Sequence, residues 1–219
     1  MHLREMYIFV ELIKITLIMP KKLRTTPIYI APDIIGYLDE NSSAIVKDER
    51  NENRILNVSN ICDKIEIYER QVKEWFLLPA EKMLNGEGYN GNFAALMICL
   101  SYIEGVEQYV RGERSRGSSK LFFTTGMKRI TQGRFRNSKL EELYDEARCG
   151  LFHDGMTRKR MILDNDLNQS IEFTDDSIKI NPRRLFEEIK SDFDNYLDKL
   201  RREENNEYRR NFDNLYTLI

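Results

Sequence analysis

The sequence predicts a mainly α protein: a helical bundle of four to five helices, with a small β-hairpin before a long C-terminal helix. Three observations predict it. From about Asn60 onward, apolar residues recur at helical spacing over several long stretches. Residues that start and stop helices stand at the ends of those stretches, as Gly112 and Pro182 do. β-branched and aromatic residues cluster in one short region, in "RMILD", "SIEFT" and "DSIKIN". The chain divides into residues 1–57, an irregular and partly apolar extension, and residues 58–219, the helical domain.

In the extension, "MYIFVELIKITLIMP" is apolar but interrupted by Glu11 and Lys14, and short for a bilayer span. The positive cluster "MPKKLR" follows the apolar run, whereas a signal peptide carries its charge before it. A packed strand or helix, or an upstream extension of a start at Met19, is preferred over a membrane anchor. Residues 20–57 read as irregular, because Pro20, Pro27 and Pro32 punctuate short apolar pieces and "NSSAIVKDERNENR" is polar.

The first helix has Ile61, Ile65, Tyr68, Val72 and Trp75/Phe76 on its stripe, Asn60 as its cap, and Pro79 forcing a break or kink. The second, "NFAALMICLSYIEGVEQYVRG", packs Phe93, Leu96/Met97, Leu100 and Ile103 and stops at Gly112. A shorter helix lies within "SSKLFFTTGMKRITQG". The fourth, "SKLEELYDEARCGLFH", is opened by Ser138 with Glu141 at capping-box spacing. After the hairpin, the last helix starts at Pro182 and buries Leu185, Ile189, Phe193, Tyr196/Leu197 and Leu200.

Composition narrows the function. With 41% hydrophobic and 32% charged residues the chain reads as globular, and a net charge of −2 provides no global attraction to nucleic acid or membrane. Three cysteines without a CxxC fit free thiols in a reducing, cytoplasmic setting. Only His2 and His153 are histidines, which argues against a histidine-rich metal site.

The segment "EARCGLFHDGMTR" ends the fourth helix and holds Arg148 and His153. With Ala147 at zero on an ideal wheel, Arg148 falls near about 100° and His153 near about 240°, framing Cys149 and Phe152 on a face away from the core. The two side chains then point about 140° apart. They address one phosphate within one chain only if the helix end distorts, which Gly150 and Gly155 ease. The ideal wheel instead favours two copies pooling their arginines and histidines, with Phe152 at the interface.

This hexapeptide, Arg148-Cys149-Gly150-Leu151-Phe152-His153, resembles the Arg-x(4–6)-His motif of the HEPN superfamily, helical bundles with that motif late in a core helix. At the level of helix order the resemblance covers roughly Asn60 to the C-terminus. The position after the arginine, often Asn or Asp in that family, is Cys149 here. The resemblance implies a metal-independent endoribonuclease with no cofactor, acting as a homodimer on RNA. It also implies a toxin or defence setting in which an antitoxin or regulatory protein can act as partner, with no membrane involved. The chemistry fits the residue types. An imidazole titrates near neutrality, at about 6.5, and suits His153 as general acid/base. A guanidinium donates two parallel hydrogen bonds to phosphate oxygens and suits Arg148. Asp154 is placed to orient the imidazole.

Between Arg111 and Arg136 stand eight basic residues against one acid, interleaved with Phe122, Phe123 and Phe135. Such a stretch either tracks a phosphate backbone while its rings stack on bases or forms a solvated surface over core phenylalanines. Lys128, Arg129, Arg134 and Arg136, with Arg158 beyond the motif, are the candidate RNA contacts. Glu104 and Glu107 continue the apolar stripe of the second helix. Arg148 is one candidate partner, but the favoured expectation is that the stripe rotates and both acids reach water. Two rival classes remain: a non-catalytic HEPN-like module binding nucleotide, RNA or protein, and a structural dimer in which Phe152 only packs.

Overall fold

The structure, a computed structural model, describes residues 23–86, 91–154 and 160–218, with side chains excepted at 151–154. Among them are six helices and two small sheets, so the expectation of a bundle of four to five helices with one small β-hairpin is corrected. The first sheet falls where an irregular extension was expected. Its strands β1 (Ile28–Ala31), β2 (Ile34–Leu38), β3 (Ala44–Asp48) and β4 (Arg54–Ile55) form an antiparallel meander in sequence order. Of the three prolines that argued against strands, Pro20 lies outside the described residues, and the other two lie outside the strands. Pro27 precedes β1 and Pro32 sits in the β1–β2 turn, where neither removes a ladder hydrogen bond. Asp39 builds the next turn by accepting from the backbone N–H groups of Asn41 and Ser43 at 2.9 and 2.7 Å.

This sheet is fastened to the helices by one buried ion pair. Asp48, fully buried at the end of β3, accepts from both terminal nitrogens of Arg70 at 2.6 and 2.8 Å. That guanidinium holds the Asp48 carboxyl down at about 2, well below its ordinary 3.8. Arg70 belongs to α1, one continuous helix in three parts: Ile61–Val72, a π-helical Lys73–Leu77, and Leu78–Leu84. Asn60 caps it, accepting from Cys62 N–H at 2.8 Å. The expected disturbance at Pro79 takes the form of that π-helical stretch. Proline offers no N–H and crowds the carbonyl four residues back, and a widened turn accommodates both.

The centre of the molecule is α2 (Asn92–Arg111), which packs against α1, α3 (Ser119–Ile130), α5 (Pro182–Arg201) and α6 (Asn206–Leu215). It stops at Gly112, whose φ of 73° is the left-handed conformation glycine adopts without strain. Close approach of α2 to α3 depends on Gly126, where an added Cβ would lie 2.9 Å from Ile103 Cγ2. The next helix, α4, begins as Asn137–Leu143 and becomes π-helical over Tyr144–Asp154. It starts one residue ahead of Ser138, and no side chain caps it, so the expected capping box is not used.

The expected hairpin is a three-stranded mixed sheet of order β5-β7-β6: β5 (Met161–Leu163), β6 (Ile171–Phe173), β7 (Ile178–Ile180). Here β6 and β7 are the antiparallel hairpin, and β5 runs parallel to β7 on its far edge. Asn181 then caps α5, accepting from Arg184 N–H at 3.1 Å, with Pro182 in the first turn. All the apolar stripe residues expected for this helix are buried. It is not the last helix, however. After it, α6 brings Phe212 and Tyr216 onto Tyr68 and Tyr109, an aromatic cluster joining α1, α2 and the C-terminal segment.

Candidate functional site

The stripe of α2 carries two carboxylates, Glu104 and Glu107, one turn apart. Neither is left to water, which corrects the favoured expectation. Glu104 takes Arg148 from α4, with Nη2 donating to Oε2 at 2.7 Å. The other Glu104 oxygen accepts from Ser115 Oγ, in the α2–α3 connection, at 2.9 Å. Glu107 is 2% exposed and takes Arg129 from α3, at 3.2 Å, and Arg129 also pairs with Asp192 of α5. Burial pushes the Glu107 and Asp192 carboxyls up, and Arg129 works against that in both. So a charged layer crosses between these helices, with α2 supplying two of its acids and α5 the third.

Arg148 is well held. Its side chain is 5% exposed, and its guanidinium carbon lies 5.4 Å from the centre of the Tyr144 ring. Burial pushes the Tyr144 hydroxyl up to about 12, with Arg148 opposing the shift and Cys149 adding to it. Lys120, at the start of α3, approaches the same ring at 5.7 Å and pairs with Asp145 at 2.8 Å. On the ideal wheel centred on Ala147, Tyr144 falls with Leu140 and Leu143 on the core stripe. The legible signal was its place four residues before an arginine on a helix.

The backbone alters the wheel on which Arg148 and His153 were placed. In a π-helix hydrogen bonds run from i to i+5, so a residue and its fifth successor stand one turn apart. The π-helical segment Tyr144–Asp154 contains both positions, and their spacing is five. Position 153 therefore follows position 148 along one face of the backbone, without the ~140° divergence of an ideal α-helix. Tyr144 and Cys149, which interact, share the same spacing. The side chains of His153, Asp154 and Phe152, and Arg158 altogether, lie outside the described residues.

The basic tract divides into two groups. Arg129 belongs to the buried layer, and Arg134 links Glu188 and Ser170. Arg111 pairs with Glu113, and Arg114 donates to the Leu215 carbonyl. Lys128 and Arg136 are exposed, with Lys128 reaching Asn137 Oδ1 at 3.3 Å. Phe122 and Phe123 are buried, and Phe135 packs on Phe173 at 5.2 Å, so these rings are engaged inside the protein. A groove of about 680 Å³ runs beside α5 past Arg129, Asp192 and Lys199, and Arg148 is not among its lining residues. Among the described residues no three His, Cys, Asp or Glu side chains are grouped to hold a metal ion, and no helix is long and apolar enough to cross a membrane. No family model, curated protein or solved structure matches the chain.

Proposed function

We propose that the chain is a HEPN-like, metal-independent endoribonuclease, with Arg148 binding the scissile phosphate and His153 as general acid/base. The observation that carries this reading is the π-helical register, which puts position 153 one turn beyond a tightly held arginine. In the reaction the RNA 2′-hydroxyl attacks its own phosphorus and loses its proton to an imidazole. The 5′ oxygen leaves with a proton from a second acid, giving a cyclic phosphate and a 5′-hydroxyl. The guanidinium offsets the charge that builds on the non-bridging oxygens. A single histidine cannot be base and acid in one step, and the only other histidine is His2. Two copies meeting at α4 would supply both imidazoles, the chemical argument for a homodimer. Control by an antitoxin or other regulatory protein belongs to the same reading.

A second reading, a non-catalytic module, is favoured by one specific observation: Arg148 is nearly covered and already has Glu104 as its anion. The experiment that separates the two is incubation of purified protein with labelled RNA in EDTA. The enzyme reading expects cleavage with 2′,3′-cyclic phosphate ends, abolished by His153→Ala in a protein of unchanged fold and oligomeric state. RNA binding without cleavage selects the module, and cleavage that survives His153→Ala removes the assignment.

A further inference from the structure

Arg148 in this structure has 5% of its side chain exposed, so an RNA phosphate arriving from solvent meets another cation first. The geometry points to Lys120. It shares the Tyr144 ring with Arg148, at 5.7 and 5.4 Å from the ring centre, which keeps the two charges within about 11 Å of each other. Unlike Arg148, it is open to solvent: Lys120 and its partner Asp145 are each 46% exposed. An exposed pair of this kind contributes little, so an incoming oxyanion can replace the carboxylate at small cost. Position adds to this. Lys120 stands in the first turn of α3, where the helix dipole disfavours a cation and favours an anion. A lysine there suits a site whose second component is negative, and Asp145 occupies that role in the free chain.

We propose that Lys120 is a substrate-binding residue of the Arg148 site, exchanging Asp145 for a phosphate of the RNA backbone and placing the adjoining phosphate at Arg148 across Tyr144. This rests on the ribonuclease reading and deepens it. It assigns the first backbone contact to Lys120, and it gives Asp145 the role of a competing anion.

The test measures binding of a short labelled single-stranded RNA of mixed sequence to the full chain carrying His153→Ala, which leaves the probe intact, over a series of salt concentrations. Lys120→Ala is expected to weaken binding several-fold at low salt and to make the salt slope shallower by about 0.7, the value for one lost single-strand phosphate contact. Asp145→Asn is expected to tighten binding, and only while Lys120 is present. Lys190→Ala, removing an exposed lysine of α5 paired with Glu81, is the control for loss of any surface charge. Equal slopes for Lys120→Ala and Lys190→Ala, or an Asp145→Asn effect that persists without Lys120, overturn the proposal, while cleavage by the wild-type protein leaves the ribonuclease reading standing. A wild-type protein that neither binds nor cuts RNA overturns both.

Discussion

Removing Arg148 tests the catalytic reading only if the protein survives the loss, and the structure says how much it loses. Arg148→Ala deletes the cation that Glu104 faces across 2.7 Å while leaving the carboxylate behind on α2. Breaking a buried ion pair from one side costs about 3–5 kcal/mol, because a desolvated charge is left without compensation. Glu104 is 14% exposed and retains its hydrogen bond from Ser115, so the expected loss is nearer about 2–3 kcal/mol. Glu104→Gln keeps an acceptor for the guanidinium and should lose about 1–2 kcal/mol. In the double variant neither charge remains, so the two losses should overlap by about 1–2 kcal/mol. Urea unfolding of the four proteins gives the cycle, provided the denaturant slope is the same in each. Equal midpoints for wild type and Arg148→Ala, or strictly additive losses, would show that the pair does not hold α4 to α2 and would remove the basis for a preset Arg148. With the cycle in hand, activity lost in Arg148→Ala at a temperature where that variant is fully folded belongs to the chemistry.

Two further outcomes follow from other charged contacts. The Asp48 carboxyl is depressed from 3.8 to about 2, so its contribution is present in full above the unfolded value and disappears as pH falls through the folded one. It amounts to at most about 2–3 kcal/mol, lost between about pH 4 and pH 2. Acid unfolding of Asp48→Asn should lack that segment of the pH profile, and an unchanged profile refutes the assignment. Within the basic tract, Arg129→Ala strands two buried carboxylates and should destabilise by about 3–5 kcal/mol. Lys128→Ala and Arg136→Ala, at exposed positions, should stay within about 0.5 kcal/mol of wild type. Thermal or urea midpoints check all three, and a stable Arg129→Ala would mean that the buried layer is not a structural element.

Local signals were legible where a single residue type settles the backbone. Asn60 caps α1, Gly112 ends α2 in the left-handed conformation, and Pro182 opens α5. Pairing over distance was not. The strands of the first sheet are at most five residues long, and the prolines beside them were read as breaking an element they only border. That β5 joins β7 in parallel, and does not pair with β6, depends on how the intervening chain folds back, which alternation alone does not encode. Glu104 and Glu107 illustrate the same limit at the site. Arg148 was readable as one candidate partner, but the favoured expectation sent both acids to water; that Arg148 takes one and Arg129 the other is set by where α4 and α3 cross α2.

The π-helical register changes what a dimer has to explain. On an ideal α-helix, five residues of separation turned Arg148 and His153 apart, so that either a distorted helix end or, as favoured, two copies had to bring an arginine and a histidine to one phosphate. With hydrogen bonds running from i to i+5, one chain sets both positions along a single face, and the geometric need for a second copy disappears. What remains is a need for protons. One imidazole can take the 2′ proton, and something else must protonate the leaving oxygen. Tyr144 is a poor donor, since burial holds its hydroxyl at about 12. An imidazole, which titrates at about 6.5 in general, suits that role better near neutral pH, and a second copy would bring one. In the proposed ribonuclease a homodimer would thus be tied to the acid half of the reaction and no longer to the placement of the phosphate. Mixed dimers of wild-type and His153→Ala chains separate these roles. A shared acid–base pair leaves the hybrid inactive, whereas two self-sufficient sites leave it with half the wild-type rate.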